Sequence, residues 1–100
     1  MIYITQLIYI REGQEKTFDE FEQIAMPIIS NYHGKLLIRL RPADDSFLVS
    51  SLEKPYEIHL VSFENQHDFD NFMKDESRKK FLYLKEQSIR TSIMILGSKL

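Results

Sequence analysis

The 100-residue chain has no cysteine and only three glycines and three prolines. Without cysteine there is no disulfide framework and no thiolate metal site, and a reducing compartment is adequate, so a cytoplasmic location is expected. Gly13, Gly34 and Gly97 lie far apart, which excludes a glycine-rich phosphate loop, and no Gly-x-Ser-x-Gly elbow for nucleophilic catalysis is present. An excess of one charge is also missing. Thirteen Lys and Arg against fifteen Asp and Glu give a net charge of −2, and nothing in that balance draws nucleic acid or an anionic membrane. No apolar run approaches the roughly 20 residues of a membrane helix. The apolar start lacks a basic leader and a small-residue cleavage site and does not read as a signal peptide. The remainder is ordinary for a globular protein, with 43% hydrophobic and 28% charged residues. A chain of this length supports one core and not two, so a single domain over residues 1–100 is expected.

What is present begins with a strand that is apolar on both faces. Alternate side chains of Ile2 to Ile10 put Ile2, Ile4, Ile8 and Ile10 on one side and Tyr3, Leu7 and Tyr9 on the other. After the turn at Arg11-Glu12-Gly13, Phe18, Phe21, Ala25, Ile28 and Tyr32 recur at spacings of three and four, the stripe of an amphipathic helix. Thr17 and Glu20 have capping-box spacing, Pro27 predicts a kink between Gln23 and Pro27, and His33-Gly34 reads as the end, with Gly34 in the left-handed conformation. A second strand alternates Leu36/Ile38/Leu40 against Leu37/Arg39/Arg41. Pro42 to Pro55 is a long connection whose Phe47-Leu48-Val49 is too apolar for a free loop, so residues 42–55 read as a packing arm or short extra strand. Tyr56 to Phe63 is a third strand. A second helix starts at Asn65 to Asp68, carries Phe69, Phe72 and Met73, and continues to Phe81 and Leu84. Ile89 to Leu96 is the last strand, stopped at Gly97.

This order, β-α-β-β-α-β, is that of the ferredoxin-like α+β sandwich, a four-stranded antiparallel sheet with two helices on one face. Every strand here is apolar on both sides, so the face without helices would be a larger apolar patch than soluble monomers tolerate. Burying roughly 600–800 Å² of it per subunit would gross on the order of 15–20 kcal/mol before the cost of association. A homodimer packed sheet to sheet is the expected partner arrangement.

Gly34 followed by Leu36-Leu37-Ile38-Arg39, then Leu52-Glu53 and Pro55, the strand Ile58-His59-Leu60-Val61-Ser62-Phe63, and the hydrophobic last strand ending at Gly97 together resemble the dimeric α+β barrel superfamily. Within it the chain is similar to a domain-of-unknown-function family akin to antibiotic-biosynthesis-monooxygenase-like proteins. The resemblance implies two ferredoxin-like subunits with packed sheets. The superfamily holds cofactor-independent monooxygenases, haem-degrading enzymes and small isomerases, among which fold does not choose. Such relatives often carry a glycine after the Leu-Glu pair and an arginine late in the second helix. Here those places hold Lys54 and Lys85-Glu86-Gln87.

Polar residues set into apolar strands are the candidates for a site: Gln6, Arg39, Arg41, Glu57, His59, Arg90 and Ser92. Arg39 beside His59 can hold an anionic group while the imidazole moves a proton, with Tyr3 or Tyr32 orienting a small organic ligand. The competing reading pairs Glu57 with Arg39 or Arg41 across adjacent strands and leaves His59 a hydrogen bond in the core. No cofactor is expected. No metal is expected either, because His33, His59 and His67 lack the spacing of a two-histidine helical site. Arg78-Lys79-Lys80, interleaved with acids, reads as a solvated helix face. An RNA-recognition motif shares the topology, but Tyr56 to Phe63 carries aliphatics where base-stacking rings belong. The function expected is that of a homodimer binding a small organic ligand beside the sheet. The alternatives are a cofactor-independent monooxygenase or isomerase, and a non-catalytic structural module.

Overall fold

The computed structural model describes all residues from Met1 to Leu100. Its elements are β1 (Ile2–Ile10), α1 (Glu15–Ile28), β2 (Gly34–Leu40), β3 (Glu57–Phe63), α2 (Gln66–Met73), α3 (Glu76–Lys80), α4 (Leu82–Ser88) and β4 (Ile89–Gly97). The strands form one antiparallel sheet in the order β2-β3-β1-β4, the ferredoxin-like arrangement expected from the order of elements. All helices lie on one face. The Cα extents are 36 × 36 × 16 Å, a two-layer slab.

Register decides what each face carries. Ile4 lies opposite Val61 on β3 and Leu96 on β4, and Gln6 opposite His59 and Met94. These residues face the helices, where Ile4, Ile28, Ile29, Val61, Phe63 and Phe72 form the main core cluster. Residues one step out of phase, including Tyr3, Leu7, Leu60, Ile93 and Ile95, point to the uncovered face. Along β2 the strict alternation fails. A bulge between Leu36 and Ile38 sets Leu36 opposite Val61, yet Arg39 opposite His59. Ile38 and Leu40 therefore lie on the uncovered face, apart from Leu36, and Arg39 turns toward the helices.

The helical layer departs from expectation at several points. Thr17 lies inside α1, and its hydroxyl donates to Gln14 Oε1 at 3.0 Å, so the capping box does not form. Pro27 falls in the last turn, removes the donor that would close on the Gln23 carbonyl, and precedes a 3₁₀ turn from Ile29 to Tyr32. The second helix is three short ones. The Asp75 carboxylate accepts the Arg78 amide at 2.8 Å and so starts α3 afresh, and it also takes the Tyr32 hydroxyl at 2.6 Å. The arm contains a 3₁₀ turn at Asp44–Ser46 and no strand. Leu48 and Val49 stand 95% and 87% exposed, while the arm's far end is tied down by the Tyr9 hydroxyl on the Glu53 carbonyl and by Arg90 on the Glu53 carboxylate.

The left-handed residue at the end of the first helical segment is His33, at φ 59°, and not Gly34. Gly34 is required for another reason. A Cβ there would stand 2.6 Å from both Ile29 Cγ2 and Phe63 Cε1. Gly34→Ala is therefore expected to lower stability by about 1–3 kcal/mol through overpacking, read as an earlier denaturation midpoint. An unchanged midpoint would show that the contact relaxes freely.

Candidate functional site

Two groups of polar side chains are buried between sheet and helices. The first centres on Glu57, fully buried at the start of β3. Its Oε2 accepts from Arg39 Nε at 2.9 Å and its Oε1 from Arg41 Nε at 2.7 Å, while His59 Nε2 donates to Oε2. Burial alone would lift this carboxyl, but the hydrogen bonds from His59, Arg39 and Arg41 outweigh it and hold it at about 2. An ionised Glu57 can only accept, so His59 carries a proton on Nε2 and Nδ1 is the ring nitrogen left over. Asp19 on α1 completes the network by pairing with Arg41 and Arg39.

The second group lines a cavity of about 70 Å³ between the helices and the centre of the sheet. By the volume a water needs, that is room for on the order of five waters, or one organic molecule of about as many heavy atoms. The walls are mainly apolar, drawn from the main cluster and from a smaller one of Phe21, Ala25 and Leu84. Polar groups enter from four directions: Gln6 and His59 from the sheet, Glu22 from α1, Arg78 from α3 and Lys85 from α4. Glu22 is 6% exposed as a residue, and its carboxyl oxygens, which bond to no other side chain, stay open to the cavity. Burial lifts its carboxyl from 4.5 to about 7, against the pull of His59, Arg39 and Arg78 and with a push from Glu57. Burial also lowers Arg78 and Lys85, the two cations on the same wall. Arg78 is held by the Met73 carbonyl at 3.3 Å and lies over the Phe72 ring.

The raised Glu22 has a consequence for stability. Below about pH 4.5 it is protonated in both folded and unfolded chains and costs nothing. As pH rises from 4.5 to about 7 only the unfolded chain ionises, and stability falls, reaching a plateau above 7. Glu22→Gln removes that penalty. The variant is expected to be more stable than the parent at mildly alkaline pH, by up to roughly 3 kcal/mol, and no different near pH 4. Equal denaturation midpoints at both pH values would contradict the raised carboxyl.

Of the residues singled out in the sequence, His59 and Gln6 reach the cavity. Arg39 lies directly opposite His59 but is taken up by Glu57, and it borders a separate surface recess with Asp19, Gln23 and Arg41. Tyr3 is on the uncovered face. Tyr32 is at the helix ends, bonded to Asp75. Thus the structure joins Arg39 and His59 through Glu57 and keeps both tyrosines apart from them. Arg90 and Ser92 sit on β4, with Arg90 given to Glu53.

Glu22, Arg78 and Lys85 were not singled out as site residues. Glu22 carries a legible signal, since it falls four residues after Phe18 and three before Ala25, inside the apolar stripe. Arg78 corrects the reading of Arg78-Lys79-Lys80 as a solvated face. Lys79 and Lys80 are exposed, but Arg78 is 7% exposed because the restart at Asp75 turns it inward. His33, Glu64 and Asp68 also gather on the surface, with ligand atoms within 4.8 Å of one another. His33 Nδ1 lies 3.4 Å from Asp68, a contact that sequence spacing cannot reveal.

Fold and site together define a ferredoxin-like α+β protein with an internal cavity. No model of a known protein family matches the chain, and no curated protein matches it. Solved structures do. A protein of unknown function from Rhodopseudomonas palustris has a TM-score of 0.83 at 11% identity, over 99% of this chain and 82% of that one. A candidate antibiotic biosynthesis monooxygenase from Nitrosomonas europaea has a TM-score of 0.74 at 11% identity, over 100% and 99%. An uncharacterised NIPSNAP domain protein from Burkholderia xenovorans has a TM-score of 0.72 at 10% identity, over 100% and 95%. The chain has the fold of these antibiotic-biosynthesis-monooxygenase-like and NIPSNAP proteins, and at such identities the likeness concerns fold alone.

Proposed function

We propose that the protein binds a small, largely apolar organic molecule in the cavity between its helices and sheet, as a homodimer closed through the uncovered sheet face. The observation that carries the binding is the cavity itself. Twelve of its 17 lining residues are hydrophobic, and the Glu22 carboxyl opens on it, the mixture typical of a ligand site. A well-packed core leaves few voids larger than a water, and this one is several waters in size. Dimerisation is supported by surface area. The chain exposes 6599 Å², against roughly 5,950 Å² for a compact monomer of 11.9 kDa, an excess of about 650 Å² near what one partner buries in a standard interface.

Fold likeness to the candidate monooxygenase suggests a reaction class as the next level of detail, a cofactor-independent oxidation or isomerisation of the bound molecule. The ion pairs around Glu57 favour a separate, structural role for Arg39 and Arg41, which clamp β2 to β3 and to α1. Saturation-transfer NMR with carbonyl compounds of about four to five heavy atoms, acetone among them, tests the binding. Signals should appear with the parent and vanish in Ala25→Phe, whose new ring would occupy the cavity, and in His59→Ala, while circular dichroism stays native. Equal signals in the parent and Ala25→Phe would place binding elsewhere.

A further inference from the structure

We propose that Glu22 is the proton acceptor for the bound molecule, and that the molecule is a weak carbon or oxygen acid whose anion is stabilised by Lys85 and Arg78. The inference rests on the cavity being a ligand site and adds the chemistry that site performs. Three features of the geometry support it. Glu22 is 94% buried, it borders the cavity, and its carboxyl bonds to no other side chain, so both oxygens are available to a ligand. Two cations share the wall with it, which is where charge left on the ligand would be balanced. The walls are otherwise apolar, so a carboxylate there is poorly solvated and a stronger base than in water.

His59 is the obvious rival, and the structure sets it a different task. Its Nε2 proton is engaged by Glu57, which is in turn fixed by two arginines. His59 thus belongs to a closed network, whereas Glu22 ends in open space. The charged and titratable groups facing Glu22 are Glu57 and His59 from β3, Arg39 from β2, Arg78 from α3 and Lys85 from α4.

The step balances within the protein and ligand. The Glu22 carboxylate takes a proton from the carbon beside a ligand carbonyl. The C–H bond breaks and an O–H bond forms on Glu22. The electron pair moves into the carbonyl to give an enolate, which Lys85 and Arg78 neutralise. Glu22 trades that proton for one from solvent, and delivery of the new proton to the same carbon restores the ketone, so the elementary activity is exchange, with no oxidant required.

Acetone, a carbon acid of four heavy atoms, is a direct probe that the cavity can hold. In heavy water the parent should accelerate loss of the methyl proton signal, with a rate that rises with pH through about 7 as Glu22 ionises. Glu22→Gln should lower the rate by at least about 100-fold while saturation-transfer signals of the ketone persist. Lys80→Gln, at an exposed position of α3 outside the cavity lining, should retain both the exchange and the pH midpoint. Exchange that survives Glu22→Gln, or that is lost in a folded Lys80→Gln, overturns the assignment. Binding without exchange in the parent overturns it and leaves the cavity as a ligand site. Absence of binding to the parent overturns both readings.

Discussion

Replacing Leu60 with lysine should convert the proposed homodimer into a monomer of 11.9 kDa. Leu60 sits on β3, an interior strand, opposite Thr5 on β1 and Ile38 on β2, on the face the helices leave uncovered. Around it Ile38, Leu40, Ile93 and Ile95 are 37–53% exposed, far more than their residue types are in a filled core. A two-fold interface through this face would hold two copies of each substitution. An unpaired ammonium held away from water costs several kcal/mol. Two of them, at about 3 kcal/mol each, would raise the dissociation constant by on the order of 10⁴. Light scattering at micromolar concentration reads the outcome, with circular dichroism to show that the helical side is intact. A parent that already runs at the mass of one chain, or a variant that still runs at two, removes the sheet-to-sheet dimer.

Glu57→Gln is expected to be the most damaging single change inside one subunit. The side chains are nearly the same size, so packing is kept, but the amide supplies one oxygen where three cationic or N–H donors converged. Removing one partner of a buried ion pair typically costs 3–5 kcal/mol. Arg39 and Arg41 are 33% and 43% exposed at their side chains and can turn partly to water, so about 3 kcal/mol is the better expectation. For a domain of this size that lowers the melting temperature by on the order of 10–20 °C. The pH dependence has a definite sign. Glu57 is held at about 2 in the fold against 4.5 when free, so its contribution is present in full above about pH 4.5 and is lost as pH falls toward 2. The variant should therefore differ from the parent at neutral pH and converge with it under strong acid. Parallel stability curves over that range would deny the network its role.

The architecture was legible because it rests on local signals. Period-two alternation marked β1, β3 and β4, and the stripe from Phe18 to Ile28 marked α1. The site was less legible because it depends on register. One extra residue at the β2 bulge, invisible in the alternation of Leu36 to Arg41, moves Arg39 to the helix side and Ile38 to the other. That shift is what brings Arg39 and Arg41 to Glu57, the pairing anticipated as the structural alternative. Tyr3 and His59 sit on different strands, and only the pairing of Gln6 with His59 reveals that their side chains lie on opposite faces. Glu22 was hidden by habit, since a carboxylate in an apolar stripe is easily passed over as part of a helix surface. Arg78 was hidden by the restart of the helix at Asp75, where one side-chain cap changes which way the next turn faces.

The thinness of the sheet has a further outcome. His59 and Met94 border the cavity, while their immediate neighbours Leu60 and Ile95 belong to the opposite surface. Subunit association and pocket occupancy would then press on the two sides of the same strands. Should either adjust the strands' spacing, each equilibrium must shift the other by an equal factor.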